Sequence, residues 1–202
     1  SADVLTDDKQ AVLMPTLRAG CSMADMATLE EVERDWPTML ERGGWSDPAL
    51  RADPSAPADA NDAFLVPVTY MNSSAALKDF VGRHGGVVCT SSNARGVLEW
   101  AFERAGDRGA VLFFPDQHLG RNTGLKMGLE EDRMPVWIPA MGASSGLDDA
   151  RIVLWHGFCS VHKRFTAEQI SEFRTRHPEG VVVVHPECPR ATVEAADADG
   201  ST

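Results

Sequence analysis

The sequence has no apolar run approaching the roughly 20 residues that cross a bilayer. It has no surplus of basic residues either: 19 Lys and Arg stand against 30 Asp and Glu, a formal net charge of −11. Phosphate backbones are bound by clustered Lys and Arg, so this balance argues against a nucleic-acid surface. There is no Walker loop, no dinucleotide-binding glycine fingerprint and no zinc-protease motif. Ser1-Ala2-Asp3-Val4 has neither the basic start nor the apolar stretch of a signal peptide. A cytoplasmic protein that engages no membrane is the expectation. Cysteine is scarce, with four, at positions 21, 89, 159 and 188. In a reducing compartment, packing, metal binding or catalysis come before structural disulfides as uses for them.

What is present is an alternation. Apolar runs read as strands over Ala11–Met14, Phe64–Met71, Gly86–Cys89, Ala110–Phe114, Val136–Ile138, Arg151–Trp155 and Val181–His185. Several are continuously apolar, as parallel strands covered on both faces are. Helical patterns follow most of them. The clearest is Ala94–Ala105, with Val97, Leu98, Ala101 and Phe102 on one face and Gly106 at the stop. Alternation of this kind predicts βαβ units and an α/β fold. Residues 43–62, rich in Ala, Asp and Pro without periodicity, read as a surface insertion or mobile loop.

A weak internal repeat runs through the pattern. Val12-Leu-Met-Pro15 leads to Cys21, and Ile152-Val-Leu-Trp155 leads to Cys159. Each cysteine precedes a capping box, Thr28…Glu31 or Thr166…Gln169, in which the Thr oxygen and the Glu or Gln side chain serve orphan N–H groups at a helix start. Each helix is expected to close near a proline, Pro37 or Pro178. The strands that follow end in Tyr70-Met-Asn72 and His185-Pro-Glu187, so each offers polar side chains at i and i+2, on one side of a strand. Hydroxyl groups come later, at Ser91 and at Ser201-Thr202.

In open α/β sheets ligands bind beyond the carboxyl ends of the strands, where Cys21, Cys159, Tyr70, Asn72, His185, Glu187 and Ser91 all fall. Each has a duller reading. A free cysteine is commonly buried packing. Asn72 and Ser91 to Asn93 suit helix N-caps, and Tyr70 suits a core edge. Cys159-x-x-His162 and His185-x-x-Cys188 have the spacing of two zinc half-sites, which together would make a Cys2His2 site. A zinc-stabilised binding module and a non-catalytic iron–sulfur protein are therefore the alternatives to an enzyme.

Six motifs occur in one order: Ala19-Gly-Cys-Ser-Met-Ala-Asp-Met26, Pro67-Val-Thr-Tyr-Met-Asn-Ser-Ser74, Cys89-Thr-Ser-Ser-Asn-Ala94, Phe114-Pro-Asp-Gln-His-Leu-Gly-Arg-Asn-Thr123, Gly157-Phe-Cys-Ser-Val-His162 and His185-Pro-Glu-Cys188. Together they resemble the quinolinate synthases over nearly the whole chain except residues 43–62. The resemblance implies three similar αβα domains with parallel sheets about a pseudo-threefold axis. Residues 1–23 would end the first, 24–160 form the second and 161–202 start the third. It implies a transferase of NAD biosynthesis that condenses iminoaspartate with dihydroxyacetone phosphate, losing phosphate and water. An L-aspartate oxidase would supply the iminoaspartate.

The resemblance also implies a 4Fe-4S cluster held by one cysteine per domain, leaving one iron open. Cys21 and Cys159 map to two ligands, and the third would lie beyond residue 202. A chain of this extent is expected to be inactive alone. Glu187 is the candidate acid or base, with Tyr70 and His185 beside it. Tyr70, Asn72, Ser91, His185, Glu187 and Thr202 are the candidate substrate-binding residues. Cys89 and Cys188 are expected to pack. Two places depart from the family pattern. Pro15-Thr-Leu-Arg-Ala19 replaces Pro-Asp-x-Asn-Ala, and Ala198-Asp199 interrupts an apolar strand, where Asp199 is costly to bury unless paired.

Overall fold

The computed structural model describes residues 27–54 and 56–200, with the backbone of two short strands before them. Those strands are β1 (Val4–Leu5) and β2 (Gln10–Val12). There follow α1 (Leu29–Gly43), β3 (Leu65–Tyr70), α2 (Ala75–Arg83), β4 (Val87–Cys89), α3 (Ala94–Ala105), β5 (Ala110–Phe114) and α4 (Gln117–Lys126). Then come β6 (Val136–Ile138), β7 (Gly142–Ala143), β8 (Ile152–Trp155), α5 (Ala167–Arg176), β9 (Val181–Val184), α6 (Arg190–Ala195) and β10 (Ala198–Asp199). Among the described residues no helix is long and apolar enough to cross a membrane.

The six-stranded sheet has the order β4-β3-β5-β8-β6-β7. All its pairings are parallel except the β6–β7 hairpin. Period-two alternation divides its side chains between two cores. Leu65, Ala110, Leu112, Phe114, Val153 and Trp155 face α1 and α2, packing on Trp36, Met39, Leu77 and Phe80. Val66, Val68, Tyr70, Val111, Phe113, Ile152 and Leu154 face α3 and α4, packing on Leu98, Ala101 and Leu119. Helices on both faces of a parallel sheet make the expected α/β, three-layer αβα unit.

A smaller sheet, β1-β2-β9-β10, joins strands from the two ends of the chain, with β2 parallel to β9. Ile170, Phe173, Val182, Val184 and Cys188 form its core.

Both capping boxes are formed, at Thr28 and at Thr166. The first helix does not close at Pro37, however, and runs on to Gly43. An interior proline costs about 3 kcal/mol of helix stability. Buried Trp36 and Met39 on either side hold the turn in place. Gly44, at φ 65°, is the real stop.

The 43–62 stretch is anchored rather than loose. Trp45 is buried and donates through Nε1 to the Arg108 carbonyl at 3.1 Å. Asp47 accepts from Trp36 Nε1 at 2.9 Å and lies 2.7 Å from His84 Nδ1. Asp199 is paired as its burial requires, with Lys126 of α4.

Candidate active site

The carboxyl end of the six-stranded sheet collects ionisable groups. Tyr70 is the last residue of β3, paired in register with Cys89 at the end of β4. Its ring lies in the core beneath α3, and its hydroxyl reaches Glu187 and Ser91. Burial raises the phenol above its usual value, and the Glu187 charge adds to this, while the Ser91 hydrogen bond acts the other way. Tyr70 therefore stays protonated at neutral pH.

Glu187 is 2 % exposed, in the turn after β9. Its Oε2 lies 2.7 Å from His162 Nδ1 and 3.5 Å from His185 Nδ1. The shorter contact sets the imidazole directly against the carboxylate. The two imidazoles stack, with centroids 4.5 Å apart and planes within 5°. They titrate in opposite senses. Burial works against charge on His162, but the Cys159 and Glu187 side chains outweigh it and raise the group to about 9. Burial lowers His185 below its usual value, against the pull of Glu187. Its Nδ1 accepts from the Glu187 backbone N–H at 3.3 Å, which leaves the proton of the neutral ring on Nε2.

Cys159 follows β8 and is half-buried. Ligand atoms of Cys159, His162 and Glu187 lie within 4.8 Å of one another. This differs from the Cys2His2 arrangement that the sequence spacing allowed, since Cys188 does not join the group among the described residues. Cys188 packs in the core of the small sheet, and Cys89 is buried at the end of its strand. Burial pushes their thiols up to about 11 and about 12, away from metal-binding thiolates. Asn72 is exposed in the bend after β3, where Ser74 rather than Asn72 caps α2. Cys21 and Thr202 lie outside the described residues.

Two residues of the Phe114–Thr123 motif enter the site without having been singled out. Asp116 is 2 % exposed; Oδ1 accepts from Leu119 N and Oδ2 from Cys159 N, each at 2.9 Å. Burial and the Glu187 charge push its carboxyl up to about 7, although the N–H groups it accepts from oppose the shift. His118 is driven down to about 4 by burial and by the charges of Arg121 and Lys163. His162, earlier weighed only as a zinc ligand, is the third addition.

A buried carboxylate, a protonated imidazole, a neutral imidazole, a protonated phenol and a half-buried cysteine thus converge on one end of a parallel sheet. The family described as Quinolinate synthetase A protein matches residues 1–202. The chain belongs to that family. It is 56% identical over 206 residues to the quinolinate synthase of Corynebacterium glutamicum, covering 100% of this chain and 47% of that protein. The Rhodopirellula baltica quinolinate synthase is 52% identical over 196 residues, covering 95% of this chain and 45% of its own length. That of Geobacillus kaustophilus is 46% identical over 205 residues, covering all of this chain and 50% of its own. The chain spans about half the length of these curated relatives, as the resemblance in the six motifs implied.

Proposed function

We propose that this chain is the central part of a quinolinate synthase. In the complete protein it would condense iminoaspartate with dihydroxyacetone phosphate to quinolinate, releasing phosphate and water, with iminoaspartate supplied by an L-aspartate oxidase. Residues 24–160 would be one of three related αβα units. The observation that carries the reading is the buried Glu187 carboxylate, flanked by Tyr70, His162 and His185 and within 4.8 Å of Cys159 and His162 ligand atoms.

Cys159 fits a cluster ligand. It is half-buried and stands beside the His162 imidazole and the Glu187 carboxylate, with its ligand atom within 4.8 Å of theirs. Cys21 would be a second ligand, with the third from the remainder of the protein. A 4Fe-4S cluster with one open iron would supply Lewis-acid polarisation of a bound oxygen.

The chain's own residues would do the rest. Glu187 would take a carbon-bound proton or deliver one to the leaving hydroxyl. Its burial excludes competing water. Tyr70, kept protonated, would donate to a substrate oxygen. His185 would donate to another through Nε2. His162 would hold positive charge beside Glu187. Asn72, Ser91 and Thr202 would bind carboxylate or phosphate oxygens.

Iron, sulfide and zinc analysis of the anaerobically reconstituted complete protein tests the metal. Wild type should hold iron and sulfide and form quinolinate. Cys159→Ser and Cys21→Ser should each lose most of the iron. Full iron occupancy in Cys159→Ser, or stoichiometric zinc without iron in wild type, would sink the assignment.

A further inference from the structure

We infer that Asn122 is a positioning residue which sets the Glu187 carboxylate against the Cys159 loop. This rests on the active-site reading above and adds to it a residue that touches no reacting group.

The Asn122 side chain is 4 % exposed, halfway along α4. Its Nδ2 donates to the Pro186 carbonyl at 2.8 Å and to the Cys188 carbonyl at 2.9 Å. Those carbonyls bracket Glu187 in sequence. An amide NH2 offers two donors in a fixed fork, which suits two adjacent carbonyls. A carboxylate of the same shape would set acceptors against acceptors.

The head of the same helix holds the other side of the site. Asp116, its N-cap, accepts the Cys159 backbone N–H at 2.9 Å. One stiff element therefore grips the cysteine loop at its start and the glutamate turn less than two helical turns later. The helix has little room to shift. A Cβ at Gly120 would come within 2.7 Å of Phe113 and Leu154, so α4 lies tight on the sheet. Because the glutamate turn follows β9, in the smaller sheet, α4 is the ruler between the two parts of the site.

The consequence is specific. Without the Asn122 fork, two buried carbonyls lose their donor and the turn re-settles. Glu187 then moves relative to Tyr70 and Cys159, while the thiol and its backbone anchor stay in place.

Asn122→Leu in the complete protein tests this, with Arg190→Ala as a control that breaks only the exposed ion pairs to Glu131 and Glu194. Tyrosines are replaced by 3-fluorotyrosine, and the Tyr70 fluorine resonance is assigned with Tyr70→Phe. Asn122→Leu should keep its iron and sulfide, shift the Tyr70 resonance, and lower kcat by roughly tenfold or more through misalignment, with KM changed much less. Asn122→Ser retains one donor, should fall between, and carries the test if the leucine variant does not fold. Wild-type kcat and an unmoved Tyr70 resonance in a folded variant would overturn the inference. So would an equal shift in Arg190→Ala, since the signal would then report general loosening. If wild type forms no quinolinate yet the resonance moves only in the Asn122 variants, the positioning role stands and the proposed reaction falls.

Discussion

The two ends of the six-stranded sheet carry cavities of similar size and opposite character. The one before the strands, about 440 Å³, is lined by Arg108, Arg133, Arg151, Asp107, Asp148 and Asp149. The one beyond them, about 330 Å³, is lined by Ser91, Thr123, Lys126, Asp199, Gly200 and Pro186, the residue before Glu187. What tells the two ends of the sheet apart is the state of the polar groups gathered around each.

At the amino end each arginine bonds backbone carbonyls. Arg108 serves Asn61, Arg133 serves Asp149, and Arg151 serves Gly106, Asp107 and Gly109 while lying 4.8 Å over the Phe102 ring. These contacts tie loops together and leave little differential energy for a ligand. At the carboxyl end, buried acids and imidazoles face one another. His162 is driven up to about 9, His118 down to about 4 and Asp116 up to about 7. Groups pushed apart in this way fit the proton handling proposed above, whereas arginines bonded to backbone carbonyls fit a role in stability.

The sharpest way to break the contrast is Glu187→Gln in the complete protein. The change keeps volume and most hydrogen-bonding capacity but removes the proton-accepting charge. Turnover should fall by about a hundredfold or more, with the fold and the cluster content retained. Near-normal quinolinate production, with the cluster intact, would remove Glu187 from the proton chemistry.

Arg151→Met makes the converse change. It leaves three carbonyls without their charged donor while keeping much of the packing on Phe102. Urea denaturation should show a loss of about 2 kcal/mol, the scale for charge-assisted hydrogen bonds with buried acceptors left over. Turnover per folded molecule should not change. A fall in turnover without a loss of stability would mean that the amino end takes part in function.

Local chemistry explains which parts of this were legible in advance. Ala110–Phe114, Val136–Ile138 and Ala94–Ala105 have the same limits in sequence and structure, because unbroken apolar runs and a terminal glycine act locally. Both capping boxes are likewise local, each contained within four residues. Pro37 misled because tertiary burial of Trp36 and Met39 overrides a local penalty. The 43–62 stretch misled because its anchors, Trp45 and Asp47, act on residues 63 and 37 positions away.

The site divides in the same way. Tyr70, Cys159, His185 and Glu187 stood out because they follow strands. His162 could be seen only as a possible zinc ligand, since spacing alone does not show that Glu187 comes to it. Asp116 and Asn122 work through partners 43 and 64 to 66 residues distant. Their motif was visible in Phe114–Thr123, but nothing local distinguishes a helix cap from a cap that also holds the Cys159 loop.

A further expected effect is one of pH, and it separates the two ends without chemistry on a substrate. His118 titrates at about 4 when folded, because burial and the nearby Arg121 and Lys163 charges disfavour its cation, against an ordinary value of 6.5. Between those values the unfolded chain binds a proton that the folded chain refuses. The His118 contribution to stability therefore rises with pH from about 4 to 6.5 and is level above. Asp116 has the opposite sign. Its folded value, about 7, exceeds the ordinary 3.8, so its contribution falls as pH rises through that interval. The wild-type profile blends the two, and a variant separates them. The stability of wild type minus that of His118→Gln should climb from acid to neutral pH and then flatten. The same difference for Arg151→Met should be flat throughout, because a guanidinium stays charged across this range. Denaturation curves collected at several pH values for the three proteins decide it. A flat His118→Gln difference would mean that His118 is not held neutral by burial, and a sloping Arg151→Met difference would mean that the amino end carries a titrating group of its own.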